Sequence, residues 1–302
     1  MEKMDRQLSG ISRKTWMIII TSVILGSSVI GLVIYLMMKR KAESSSPSVV
    51  AVVNPPPIPA KINITSKLPT GSASLANGTV LSTLGSTTNG ISLNATTSPY
   101  SALGLPFPAS VAASSAVMTT IGTLPAISIN NTAFAAPVGM GAQIGNNITI
   151  FALTQVQKNG TMTGYNAYDK TFSYRDTAYV SSQKMVMDRS LRNMLSQPIT
   201  PQFDGSTVDL FVWTFSGAQL SSWYRPKLTA DGTDIVYQTV VPSAGLKLYG
   251  DGETQGNLFI FSPTDNHNLC QLIIYDHAMW GQQIAQTIKY LQSEWPTLNI
   301  LG

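Results

Sequence analysis

The chain has a single cysteine, Cys270, among 302 residues. No intramolecular disulfide can form, so the folded part must be held by an apolar core, which a chain of this length can supply. One cysteine and two histidines, His267 and His277, do not make a four-ligand zinc site of the usual spacing, and no metal or other cofactor is expected. Charge is scarce as well, at 11% of residues. From Ser44 to Tyr168 there is no Asp, Glu or Arg, and the only charges are Lys61, Lys67 and Lys158. Part of the formal net charge of +4 gathers beside one apolar run. With no basic stripe elsewhere, a nucleic-acid partner is excluded.

That run is Thr15 to Met38, which carries no charged side chain. As a helix it covers roughly 36 Å, more than the ~30 Å hydrocarbon core of a bilayer. A lone span in lipid must be helical to satisfy its own backbone. Trp16 and Tyr35 lie near its ends, and Arg13, Lys14, Lys39, Arg40 and Lys41 bracket it. Its length and the basic residues directly after it favour a retained anchor over a cleaved signal peptide. Residues 1–14 then form a polar tail, 15–38 a transmembrane helix in the lipid bilayer, and 39–61 a Pro/Ser-rich stalk in extended conformation.

Beyond the stalk stand six Asn-x-Thr sequons, at Asn63, Asn77, Asn94, Asn130, Asn147 and Asn159. As glycosylation sites they place the C-terminal part on the non-cytosolic side, a type II orientation; the alternative is coincidence in an Asn- and Thr-rich chain. Residues 62–124 are read as short strands and long loops of the following domain rather than disordered stalk. Asn147 to Val156 alternates Ile148, Ile150 and Ala152 against Thr149, Phe151 and Leu153, a strand pattern. Val208 to Phe215 is apolar on both faces. Further strands are expected at Ile235 to Val241, Gly245 to Tyr249, Asn257 to Phe261 and Leu269 to Tyr275, with turns at Asp204-Gly205, Asp231-Gly232, Asp251-Gly252 and Ser262-Pro263. In Gln282 to Trp295 the residues Ile284, Ile288, Leu291 and Trp295 share one helical face, and Pro296 follows. The pattern predicts an all-β antiparallel sandwich closed by one C-terminal helix on its edge or back.

The block Leu272-Ile273-Ile274-Tyr275-Asp276, then Ile284, Tyr290-Leu291 and Glu294-Trp295, resembles the closing strand and helix of laminin-G-like, concanavalin-A-like jelly-roll domains. Gly245 to Glu253 is similar to the strand and turn before that family's last hairpin, and Leu124 to Ile129 to its entry strands. The resemblance implies one jelly-roll domain over 62–302, best supported over 124–295. It does not fix a function, since this superfold hosts lectins, glucanases, adhesion modules and virion proteins.

Site chemistry narrows the choice. A retaining glycosidase needs two carboxylates about 5 to 5.5 Å apart, and Glu2, Glu43, Glu253 and Glu294 do not alternate as the glucanases of this fold require. Asp204, Asp209, Asp231, Asp234 and Asp251 read as turn formers and strand ends; no calcium-ligand spacing joins them. His267 and His277 lack a triad arrangement legible in sequence. For glycans the best cluster is Trp223-Tyr224-Arg225, with Tyr165 and Tyr168 behind it, against the alternative that these rings pack in the core or at an edge. The expectation is therefore a non-enzymatic, membrane-anchored structural or adhesive protein, a minor capsid or virion membrane protein of a large DNA virus that tethers membrane to a capsid-like shell protein. The alternative is a glycan-binding lectin of a cell or virion surface, and the third reading a degenerate glucanase.

Overall fold

The computed structural model describes residues 53–96, 115–137, 140, 147–168, 175–189, 193–199, 202–216, 219–236, 257–262 and 265–301. The chain divides into two units, Met1–Val49 and Val50–Gly302, and all described residues belong to the second. The expected transmembrane helix at 15–38, the strand at Gly245 to Tyr249 and the turn at Asp251 lie outside them. Among the described residues no helix is long and apolar enough to cross a membrane.

The strands are β1 (Ile62–Thr65), β2 (Val80–Leu81), β3 (Thr83–Gly85), β4 (Ser92–Thr96), β5 (Ser115–Ile121), β6 (Leu124–Asn130), β7 (Ala133–Ala135), β8 (Ile148–Val156), β9 (Thr161–Tyr168), β10 (Arg175–Ser181), β11 (Lys184–Arg189), β12 (Asn193–Pro198), β13 (Asp209–Ser216), β14 (Gln219–Tyr224), β15 (Asn257–Ile260) and β16 (Asn266–Tyr275). One helix, α1 (Gly281–Glu294), follows. The strands form two antiparallel sheets. The first runs β14-β13-β8-β16-β6-β5-β2, and the second β12-β11-β10-β9-β15-β7-β4-β3. The long β16 pairs with β8 along one edge. Its other edge is shared end to end by β6, which pairs from Asn266 to Leu269, and β1, which pairs from Gln271 to Ile274. Residues 62–96 thus belong to the sandwich; Ile235 bridges Leu228, and residues 237–241 of the strand expected from Ile235 to Val241 lie outside the described residues.

Period-2 alternation decides where each side chain goes. Ile148, Ile150 and Ala152 of β8, Phe211, Trp213 and Phe215 of β13, and Leu272 and Ile274 of β16 point between the sheets, where they meet Leu84, Leu93, Phe134, Met162, Val180 and Ile260 of the second sheet. The opposite phase, Phe151, Leu153, Leu210, Val212, Ile273 and Tyr275, forms a second core with Ile284, Ala285, Ile288 and Leu291 of α1 and with Trp295. The central strands β8, β13 and β16 are therefore buried on both faces, which is why they read as unbroken apolar runs. Each large apolar side chain that α1 buries there contributes about 1.5 to 3 kcal/mol.

Gly85 and Gly281 are among the glycines required by close approach. A Cβ on Gly85 would lie 2.0 Å from the carbonyl oxygen of Thr70. On Gly281, at φ 42°, a Cβ would lie 2.7 Å from the Asp234 carboxylate, which stands at the N-terminus of α1. There it faces the positive end of the helix dipole, offsetting the lack of an acidic residue in the first turn.

A polar seam ties the helix to β1 and β16. Gln271 Oε1 accepts from Trp295 Nε1 at 2.7 Å, while its Nε2 donates to Asn63 Oδ1 at 2.9 Å and to Tyr290 Oη at 3.2 Å. Tyr290 Oη donates to the Asn54 carbonyl at 2.8 Å, and Asn54 Nδ2 to Glu294 Oε1 at 2.9 Å. Lys67 pairs with Glu294 at 3.2 Å and lies 4.6 Å from the centre of the Trp295 ring. Residues 54–61, expected as the end of the stalk, are therefore bonded to the domain: Asn54 to α1, and the Lys61 backbone to Ile274.

Candidate functional site

The triplet Trp223-Tyr224-Arg225 sits at the end of β14, which pairs with β13 at one end of the first sheet's strand order. Alternation splits it. Trp223 faces the helix-side core and is 0% exposed; Tyr224 faces the sandwich interior and is 7% exposed. Neither ring, named as a glycan-binding candidate, presents an open face; both pack in the core, as the alternative reading had it. Tyr165 and Tyr168 lie on β9, in the other sheet.

Arg225 is the member left at the surface. It adopts a left-handed φ of 44°, a conformation that costs a non-glycine residue on the order of 1 kcal/mol and persists where the surroundings hold it. Its backbone N–H donates to the Leu210 carbonyl at 2.9 Å. The guanidinium turns back over the start of β13. There Nε donates to Asp209 Oδ1 at 2.7 Å, and Nη2 contacts the same oxygen at 2.5 Å and Thr207 Oγ1 at 3.0 Å. Asp209 is 1% exposed, while the Arg225 side chain is 23% exposed. Beside them Asp204 Oδ1 accepts from the Ser206 backbone N–H at 2.8 Å and from its hydroxyl at 2.5 Å.

Electrostatics follow from burial. Loss of water raises the Asp209 carboxyl above its ordinary range, against the opposing pull of Arg225. Burial, aided by the Asp209 charge, pushes the Tyr224 hydroxyl up to about 12, the opposite of an activated nucleophile. Asp204 is held low by the Ser206 hydrogen bonds. The arrangement fixes a guanidinium at the rim with Asp204, Ser206 and Thr207 exposed around it. Such a set can donate to and accept from hydroxyl or carboxylate oxygens.

The remaining candidates fall elsewhere. Asp231 closes its own turn, accepting from Thr229 at 2.6 Å and Thr233 at 2.7 Å. Asp265 is fully buried, accepting from Thr163 N at 2.8 Å, Thr163 Oγ1 at 2.9 Å and Ser262 N at 3.0 Å. His267 is buried against Phe261, 5.1 Å between ring centres, and His277 contacts Asp276 at 3.3 Å. Among the described residues no three His, Cys, Asp or Glu side chains gather as metal ligands. Of the sequons, Asn63 is 0% exposed, its Nδ2 donating to Thr87 Oγ1 at 2.8 Å and its Oδ1 accepting from Gln271. It cannot carry a glycan in this fold, which corrects its reading as a glycosylation site. Asn77, Asn94, Asn130, Asn147 and Asn159 are exposed.

No protein-family model matches the chain, and no curated protein does. Among solved structures it is similar to Trypanosoma rangeli sialidase, at 12% identity and a TM-score of 0.48, covering 86% of this chain and 38% of that one. It is also similar to the receptor-binding domain of botulinum neurotoxin mosaic serotype C/D, at 8% identity and a TM-score of 0.46, covering 77% and 50%. The chain thus spans well under half of the sialidase's length. These are sialidases and a receptor-binding domain rather than virion or capsid proteins, which corrects the expectation of a minor capsid protein tethering membrane to shell. The architecture, among the described residues, is an antiparallel all-β sandwich with one C-terminal helix.

Proposed function

We propose that the chain is a non-enzymatic glycan-binding module of jelly-roll, concanavalin-A-like type, anchored in a bilayer by the 15–38 helix with this domain on the non-cytosolic side. The observation that carries the glycan reading is the Arg225 guanidinium, fixed at the sheet rim by buried Asp209 and by Thr207 and flanked by exposed Asp204 and Ser206. Pre-positioned donors and acceptors of this kind recognise sugar hydroxyls without paying ordering entropy on binding. The non-enzymatic reading is supported by the state of the acidic groups: Asp209 is shut from solvent and ion-paired, and Tyr224 is pushed up rather than activated.

The test is binding of the full-length chain, in detergent, to an immobilised oligosaccharide panel, with Arg225→Lys as the variant. Lysine keeps the ion pair with Asp209 but lacks the planar fork. Binding by the parent and a loss of about tenfold or more in the variant, some 1.4 kcal/mol, is expected. Equal binding by both, or no binding by a folded parent, sinks the reading.

A further inference from the structure

The exposed sequons are not equivalent. The hydroxyl of Thr132, which completes the Asn130 sequon, is buried and donates to the Asn130 carbonyl at 3.0 Å. Thr149, which completes the Asn147 sequon, is buried against Thr214 and the His277 carbonyl. Asn94 lies within β4, in register with both β3 and β7. Asn77 and Asn159 stand in turns, each followed by glycine, with the sequon threonine half-buried. Asn159 sits on the turn between β8 and β9, closed by Gly160 N–H donating to the Gln157 carbonyl at 2.7 Å.

That turn touches the Arg225 site. A Cβ on Gly205 would come 2.9 Å from the Lys158 backbone nitrogen. Gln183 Nε2 bridges the carbonyls of Lys158 and Phe203, at 3.0 Å and 2.9 Å. Gly205 lies between Asp204 and Ser206, and Thr207 next along accepts from Arg225. The turn that carries Asn159 therefore lies against the segment that leads through Asp204 and Ser206 to Thr207, the Arg225 partner. We propose that Asn159 carries an N-linked oligosaccharide and that this glycan shields the Arg225 site from external ligands. In the transfer step Asn159 Nδ2 forms a bond to the anomeric carbon of a lipid-pyrophosphate-linked oligosaccharide. The bond from that carbon to the phosphate oxygen breaks, the lipid pyrophosphate leaves with the electron pair, and the amide nitrogen gives up one proton. The shielding half of the inference rests on the glycan-binding reading above. The modification half does not.

The experiment uses the full-length chain made in eukaryotic cells, alongside Thr161→Val, which removes the sequon hydroxyl while keeping a β-branched residue in β9. Enzymatic deglycosylation in heavy-oxygen water followed by peptide mass measurement reads occupancy, because the released asparagine becomes a labelled aspartate. Label at Asn159 and none at Asn63 is expected. A chain covering its own site nine-tenths of the time weakens apparent affinity about tenfold, so Thr161→Val should bind the oligosaccharide panel about tenfold more tightly than the parent. An unlabelled Asn159 overturns the proposal, as does a labelled one with unchanged affinity in Thr161→Val. Arg225→Lys in the Thr161→Val background separates the two ideas: undiminished binding there refutes the Arg225 site and its shield, whatever the occupancy of Asn159.

Discussion

Replacing Gln271 by leucine should be among the costliest single changes in the domain, although the two side chains are close in size. Gln271 is 1% exposed and joins three partners: it accepts from Trp295 Nε1 and donates to Asn63 Oδ1 and Tyr290 Oη. Tyr290 keeps its bond to the Asn54 carbonyl. Trp295 Nε1 and Asn63 Oδ1 lose the partners described here, in a site closed to water. A buried polar group stranded in this way costs about 1 to 3 kcal/mol, so Gln271→Leu should lose about 2 to 6 kcal/mol before any gain from the leucine's own burial. With a urea dependence of about 3 kcal/mol per molar, that is a midpoint lowered by roughly 1 to 2 M. The assay is urea unfolding of parent and variant followed by tryptophan fluorescence, since Trp213, Trp223 and Trp295 are all buried. A loss below about 1 kcal/mol would mean that the stranded groups find other partners, and that the seam does not hold the helix as described.

The pH dependence of stability should carry two opposed contributions. Asp265, pushed by burial up to about 7 from 3.8, contributes stability that is fully present below about 4 and is lost as pH rises through 7; His267, pushed down to about 3 from 6.5, contributes stability present above 6.5 and lost as pH falls towards 3. They oppose one another between about pH 4 and 6.5, so His267→Phe should unmask a decline in unfolding free energy across that window, and a flat profile in that variant would contradict the burial of Asp265. Trp223→Ala should cost about 3 to 5 kcal/mol by opening a cavity under α1, and any loss of oligosaccharide binding should follow the fraction unfolded. A folded Trp223→Ala that has lost binding would put the ring in the site and refute its placement.

The parts of the fold legible in the sequence are those where one period dominates. Ile148 to Val156 and Gly281 to Glu294 show their two- and 3.6-residue repeats openly, and the structure places them within a residue of the expected bounds. Strands β9 to β12 were not legible, because Thr161 to Tyr168 and Asn193 to Pro198 mix Thr, Asn, Met and Ser without a clear apolar phase. Asn63 misled for a different reason: a sequon records three residue types, not their exposure, and burial came from partners as distant in sequence as Gln271. The Arg225 site did leave a trace. Asp209 shares its phase with Phe211, Trp213 and Phe215, so strand parity alone aims a carboxylate into the interior. A buried carboxylate calls for a cation, and Arg225, at the end of the next strand, was the nearest along the chain.

Burial of β8, β13 and β16 on both faces restricts where the first sheet can bind anything. Its inner face is committed to the sandwich core and the outer faces of β8, β13 and β16 to α1, and a ligand seated on either would have to displace core side chains. Strand ends, edges and the half-exposed outer faces of β5 and β6 remain. At the end of β14 the chain has to leave the sheet, and the left-handed turn at Arg225 does so while swinging the guanidinium back onto Asp209. Tyr224 and Trp223, one and two residues earlier, are fixed in the two cores by the same alternation. On this edge the residue left at the surface is thus the first one past the ladder, and the buried carboxylate that holds it is the group that makes its geometry definite.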